Sequence, residues 1–176
     1  YSNCMIDDQL VEIDTRTFEV SRRFSVTTGS EAALLDYQVG EVVTGANGIT
    51  RPLESFSDRK AMESTCSPTW AQPTPDGRSI FVACNKSNEI LVVDRASWTL
   101  ERRISVPGGP YNLAISEDGK ILIASLKGAG KVQFFEASTG KSLGLVASTT
   151  TLTHGVAVTP DSRYAFVSME GKGADP

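Results

Sequence analysis

The chain has 176 residues, 40% of them hydrophobic and 22% charged, with a net charge of −4 and a pI near 5.1. That mixture is long enough for one sizeable core. The acidic balance and the scattered basic residues give no footing for nucleic acid as a partner, and the short pairs Arg22–Arg23 and Arg102–Arg103 read as solvated strand edges. No apolar run approaches the length of a membrane-spanning helix, and no signal peptide is visible.

In chain order, residues 1–4 (YSNC), 10–14 (LVEID) and 17–26 (TFEVSRRFSV) alternate apolar with polar and predict three short strands. Residues 27–67 break the rhythm and read as an inserted segment, either a long excursion or a degenerate copy of the unit that follows. The lack of a Pro-Asp-Gly turn and of a strand ending in Val-Asp favours the excursion. Within it, Thr44–Asn47 and Gly48 read as a loop and Arg59–Ser64 as a short helical turn. Long loops of this kind are uncommon in compact domains and often functional.

From Pro68 a unit begins that repeats. Residues 68–74 (PTWAQPT), 75–84 (PDGRSIFVAC), 90–94 (ILVVD) and 97–106 (SWTLERRISV) form its first copy. Residues 110–116 (PYNLAIS), 117–126 (EDGKILIASL), 132–136 (VQFFE) and 143–148 (LGLVAS) form the second, and 153–159 (THGVAVT) with 160–169 (PDSRYAFVSM) open a third. The turn recurs after 42 and then 43 residues. The first residues of the chain fit the same frame, YSNC against FVAC, LVEID against ILVVD, TFEVSRRFSV against SWTLERRISV.

Each turn has local causes: proline presets φ, aspartate bonds the backbone two residues on, and glycine takes positive φ without cost. Ser162 stands where the other units have glycine and predicts a different turn type there. A four-stranded antiparallel unit of this size cannot bury both faces alone. Radial stacking of such units solves this and gives an all-β fold, a β-propeller of four-stranded blades.

The quartets FVAC, IASL and FVSM after P/E-D-G/S, with VVDRASWTLERRISVPGGP and NLAISEDGK around them, resemble the YVTN family of β-propeller repeats over residues 1–26 and 66–176. The resemblance implies an extracytoplasmic protein, periplasmic, secreted or on the cell surface, of bacterial or archaeal type. Propellers commonly close with about seven blades. About four blade-equivalents are present over residues 1–176, so the sequence reads as a partial propeller, its other blades coming from the rest of a longer chain or from a partner.

Cys66 and Cys84 lie at the open end of the hairpin centred on Asp76–Gly77, within reach of a disulfide. The alternative is two buried thiols packing as small apolar residues. Cys4 holds the place of Cys84 in an earlier unit, too far across a blade spacing to reach it.

His154 is the single histidine. It starts a strand at the place of Tyr111 in the previous unit and Thr69 in the one before, near Met169 across its hairpin. With Met169 and a cysteine, Cys4, it would make a soft copper site, but no spacing motif unites these residues. No cofactor is expected beyond that possibility of copper. Trp70, Tyr111, Asn112 and His154 share one stretch at the end of the innermost strands nearest the central channel. They are the candidate ligand-binding residues if they do not fill inter-blade space. Trp98 reads as packing.

A Ser-His-Asp site would need His154 with Ser168 and Asp161, without the nucleophile elbow. The glycines of 128–130 have no helix to cradle a phosphate. Asp14, Asp94 and Glu136 recur at repeat spacing, which points to structural turns. Asn85-Lys86-Ser87 matches the N-glycosylation pattern. No catalytic residue is assigned. The leading reading is therefore a non-enzymatic extracytoplasmic scaffold that binds a protein, a glycan or a small ligand on one face. The alternative is a copper-associated redox protein or a lactonase-like hydrolase.

Overall fold

A computed structural model of the chain describes residues 1–35, 42–44, 50–52, 64–149 and 151–171. The chain folds into strands alone among these residues, and none of its helices is long and apolar enough to cross a membrane. The first sheet holds β1 (Ser2–Cys4), β2 (Gln9–Ile13), β3 (Val20–Ser25) and β4 (Ala32–Ala33) in that order. Backbone positions 42–44 and 50–52 form a separate hairpin, β5 (Val42–Thr44) and β6 (Thr50–Pro52).

The second sheet holds β7 (Pro68–Pro73), β8 (Ser79–Cys84), β9 (Glu89–Asp94) and β10 (Thr99–Ser105), and the third β11 (Pro110–Ile115), β12 (Ile121–Leu126), β13 (Lys131–Glu136) and β14 (Ser142–Ala147). The last pairs β15 (Thr153–Val158) with β16 (Ala165–Met169). All pairings are antiparallel, each strand beside the next in sequence, which is the meander of a propeller blade. The innermost strands β7, β11 and β15 pack in succession, and each also packs against the second strand of the preceding sheet: β7 on β1, β11 on β8, β15 on β12.

The core explains why 90–94 is a continuous apolar run. Along β8 and β9, Ile80, Val82, Cys84, Leu91 and Val93 pack with Leu10, Phe24 and Val26 of the first blade. The alternate residues Phe81, Ala83, Ile90 and Val92 pack with Leu113, Leu122, Leu126 and Phe135 of the third. The second blade is thus buried on both faces, and each large apolar side chain so covered is worth about 1.5–3 kcal/mol.

The turns repeat in detail. Asp76 accepts from Thr74 Oγ1 at 2.6 Å and the Arg78 amide at 3.0 Å, and Asp118 accepts from Ser116 Oγ at 2.7 Å and the Lys120 amide at 3.0 Å. Asp161 takes the same two bonds from Thr159 and Arg163. The different turn expected at Ser162 does not occur: its φ is 59°, beside 68° at Gly77 and 71° at Gly119. A side chain in that left-handed region is strained. Here Ser162 Oγ offsets the strain by accepting the Glu117 amide of the third blade at 2.9 Å.

The other turn, between the third and fourth strands, also recurs. Asp14, Asp94 and Glu136 close it through backbone and side-chain bonds, as expected of structural acids. Its last residue is left-handed in each blade: Phe18 at 61°, Trp98 at 57° and Gly140 at 76°.

The arginine pairs are not simply solvated. Arg22 reaches the Arg95 carbonyl at 3.0 Å and lies 4.1 Å over the Trp98 ring, and Arg102 reaches the Ala137 carbonyl at 2.7 Å. Each guanidinium pins its blade to the corresponding turn of the next, where five donors in a planar fork outperform a strand-edge lysine. Trp98 is 5% exposed, its indole N–H donating to the Arg23 carbonyl at 2.9 Å.

Cys66 and Cys84 form a disulfide with Cα atoms 4.5 Å apart. Beside it, the buried Asp8 carboxylate accepts from Ser64 Oγ at 2.6 Å and from the amides of Thr65 at 2.6 Å, Cys66 at 3.2 Å and Ser67 at 2.8 Å. Burial pushes the Asp8 carboxyl up, and these bonds outweigh it, holding its pKa below the usual carboxylate value. Asn88 holds the same place one blade on and accepts the Gly109 amide at 2.7 Å.

The inserted segment leaves and returns at one point, where the Thr28 amide donates to Thr65 Oγ1 at 2.8 Å. Its first part is not a free loop: β4 extends the outer edge of the first blade, and Glu31 pairs with Arg103 of the second. The loop expected over Thr44–Asn47 and Gly48 lies, apart from strand residue Thr44, outside the described residues. So does the helical turn over Arg59–Ser64, apart from Ser64.

Candidate functional site

The innermost strands all begin on one face, and each carries an irregularity near its start. Register shifts fall between Pro68 and Trp70, between Pro110 and Asn112, and between Thr153 and Val156. A bulge leaves its extra residue outside the ladder and re-aims the side chain. The residues so released are Thr69, Tyr111 and His154, which share one position of the repeat.

Hydroxyls of the preceding sheet hold two of them in place. Thr69 Oγ1 donates to the Tyr111 carbonyl at 2.8 Å, and Ser125 Oγ donates to the His154 carbonyl. The Tyr111 and His154 rings then stand with centroids 4.3 Å apart, tilted by 45°. Lys127 Nζ lies 4.5 Å from the Tyr111 ring centroid and 2.8 Å from Glu170 Oε2. Glu170 Oε1 faces His154 Nε2 at 3.4 Å. The hydrogen bond and charge of Lys127, with a smaller contribution from His154, hold the Glu170 carboxyl below the ordinary glutamate value.

Backbone bonds fix the loops that present these charges. The Lys127 amide donates to the Gly109 carbonyl at 2.8 Å and the Glu170 amide to the Leu152 carbonyl at 3.1 Å. The result is a phenol, an imidazole, an ammonium and a carboxylate gathered at one inter-blade seam. Such a patch offers donors, an acceptor and an aromatic wall, the mixture that orients a polar ligand. Lys127 and Glu170 were not singled out in the sequence, although a signal existed. Each is the residue directly after its quartet, IASL or FVSM, at the place of Met5 and Asn85.

The structure divides the candidates. Tyr111 and His154 come together. Asn112 does not join them: it is 7% exposed, with its amide bonded to Ser125 Oγ at 3.0 Å and its Oδ1 accepting the Val156 amide at 3.2 Å. It ties the third sheet to the fourth. Trp70 is 41% exposed but lines another cleft, of about 360 Å³, with Tyr1, Asn3, Met5 and Pro68.

The soft-metal trio is split between the first sheet, which holds Cys4, and the last, which holds His154 and Met169, with two sheets between them. Among the described residues no group of three or more His, Cys, Asp or Glu converges on a metal position. The triad arrangement fails on geometry. Ser168 Oγ accepts the Gly155 amide at 2.9 Å, while Asp161 closes the turn at the far end of the hairpin. The Asn85 side chain of the glycosylation pattern donates to the Pro110 carbonyl at 3.2 Å, and Ser87 Oγ is buried.

Among solved structures, the chain is similar to the hydrazine synthase of Kuenenia stuttgartiensis, with a TM-score of 0.59 and 19% identity over 61% of this chain and 30% of that one. It is also similar to the WD40 repeats of RRP9, with a TM-score of 0.54 and 21% identity over 57% of this chain and 32% of that one. A third is the β-propeller domain of Myceliophteria thermophila Cps50 (Swd1), at 0.51 and 14% over 58% and 32%. The chain therefore spans about a third of the length of these structures. At such identities the likeness shows the fold, a β-propeller. No protein-family model and no curated protein matches the chain.

Proposed function

We propose that this chain belongs to a non-enzymatic, extracytoplasmic propeller of YVTN type that captures a protein, glycan or small ligand on the face where the innermost strands begin. The observation that carries this reading is the Tyr111–His154–Lys127–Glu170 cluster. Two bulged strands and two pinned loops converge there although no fold requirement asks for them, since Thr69 suffices at the equivalent place. Rigid strands carrying irregular, polar termini are how propeller-like scaffolds present binding groups. The Cys66–Cys84 disulfide supports an oxidising compartment, where such bonds persist.

The test presents the purified chain to a printed glycan array and to a peptide library. Capture by the wild type that falls at least about tenfold in both Tyr111→Ala and Lys127→Ala, a loss of about 1.4 kcal/mol, bears the reading out. Capture indifferent to both substitutions overturns it. So does lactone hydrolysis, or stoichiometric copper, lost with His154→Ala.

A further inference from the structure

Three of the sheets share one plan: β8 has β7 along its inner edge, β12 has β11, and β16 has β15. β1 occupies the place of β8, β12 and β16. It receives the next innermost strand, β7, as β8 receives β11 and β12 receives β15. Its Asn3 and the equivalent Ser125 also do the same work. With its amide turned to accept, Asn3 Oδ1 takes the Trp70 and Ala71 amides at 3.2 and 3.0 Å, and Ser125 bonds the His154 carbonyl. Yet β1 ends its sheet, and among the described residues no strand lies on its inner edge.

Along that edge runs the cleft of about 360 Å³, walled by Tyr1, Ser2, Asn3 and Met5 on one side and by Pro68, Thr69, Trp70 and Ala71 on the other. Its large side chains are open: Tyr1 is 39% exposed, Trp70 41% and Met5 49%. Unpaired strand edges with apolar flanks recruit extended peptide, because main-chain bonds supply affinity and alternate side chains supply selectivity.

We propose that the inner edge of β1 is a docking site for an extended polypeptide strand, which pairs antiparallel with Ser2–Cys4 and covers Trp70. The chemistry of the occupant follows from the filled sheets. Opposite Cys84 and Leu126 stand Pro68 and Pro110, so a proline faces Cys4. Two residues before Pro68 lies Cys66, bonded to Cys84. Cys4 is free and half-buried at the corresponding point, so a cysteine two residues before the incoming proline falls within its reach. The occupant is thus a strand of the form Cys-x-Pro followed by a small and apolar run.

The full chain is mixed with the Trp-free peptide CSPYNLAIS, which joins the sequence of residues 66–67 to that of 110–116, its cysteine activated as a mixed disulfide with thionitrobenzoate. The Cys4 thiolate attacks the peptide sulfur, the new S–S bond forms, the bond to the aryl sulfur breaks, and thionitrobenzoate leaves as a coloured thiolate. Release at least about tenfold faster than from a scrambled peptide with the same cysteine is expected, from the raised local concentration. The added mass should lie on Cys4. A serine version of the peptide should shift the emission of Trp70 to the blue in both wild type and Cys4→Ser, with buried Trp98 as the unchanging background.

Equal release from both peptides, or no shift with the serine peptide, overturns the proposal. Two other outcomes do so as well. Sedimentation showing self-association with Trp70 already shielded would make a second copy the occupant. The same emission shift with N-acetyl-tyrosine amide would make the cleft a small-molecule pocket.

Discussion

Trp98 and Phe18 hold the same place in successive blades, both left-handed at the end of the same turn, yet one is 5% exposed and the other 83%. Ile104 and Val146 are equivalent on the outer strands, 6% and 56% exposed. The blades are built alike, so the difference does not come from the sheets themselves. Trp98 rests on Phe24 and Arg22 of the preceding blade, and Ile104 is covered by the turn of the following one at Gly140, where an added Cβ would meet it at 2.7 Å. Phe18 and Val146 have no described sheet on those sides. Burial in this fold is a property of the seam between blades.

The comparison is sharpest by truncation. Trp98→Ala should cost about 3–5 kcal/mol in denaturant unfolding, while Phe18→Ala should stay within about 0.5 kcal/mol. Similar losses for the two would mean that the turn itself, not its neighbour, holds these residues.

Next in size is the covalent tie of the second blade. Gly108 and Leu126 stand in the third blade where Cys66 and Cys84 stand in the second, with a separation of 18 residues between the cysteines. Cys84→Ser should lower stability by about 3 kcal/mol and free the root of the inserted segment to proteolysis. Unchanged protease resistance would leave Asp8 as the sole anchor.

Asp8 and Asn88 allow a comparison by pH. The Asp8 carboxyl titrates below its unfolded value, so its contribution is fully present above about pH 3.9 and is lost as pH falls through the lower folded value. Asp8→Asn should cost about 1–3 kcal/mol at neutral pH, and the gap from wild type should close on acidification. A gap constant down to pH 2 would show that the carboxylate is not the anchor.

The smallest effect concerns the turns. Ser162→Gly relieves a left-handed side chain but loses the bond to Glu117, and Gly77→Ser imposes the strain with open space around it. The first should change stability by less than about 0.5 kcal/mol and the second should cost about 1 kcal/mol.

Much of the fold was legible because each blade repeats local chemistry: a Pro/Glu-Asp-Gly/Ser turn, an alternating run, an acid closing the next turn. The disulfide was legible for the same reason, since hairpin arithmetic brings Cys66 to Cys84. What was hidden depends on seams. Arg22 and Arg102 look like solvated charges until the next blade's carbonyl is set beside them, and Ser162 looks like a defective turn until Glu117 is. At the mouth, Tyr111 and His154 shared a frame with Asn112 and Trp70, but a one-residue bulge separates their directions, and no local pattern announces a bulge. Lys127 and Glu170 lie in loops that only the stacked strands bring together.

The two-faced packing of β8 has a consequence for genetics. Positions 80, 82 and 84 answer to the first blade, while 81 and 83 answer to the third. Paired substitutions of like parity should therefore show non-additive energies, and pairs of unlike parity, though adjacent in the chain, should sum almost independently. The backbone of one strand insulates two sets of epistatic constraints, so each junction of the wheel is free to drift in sequence without consulting the other.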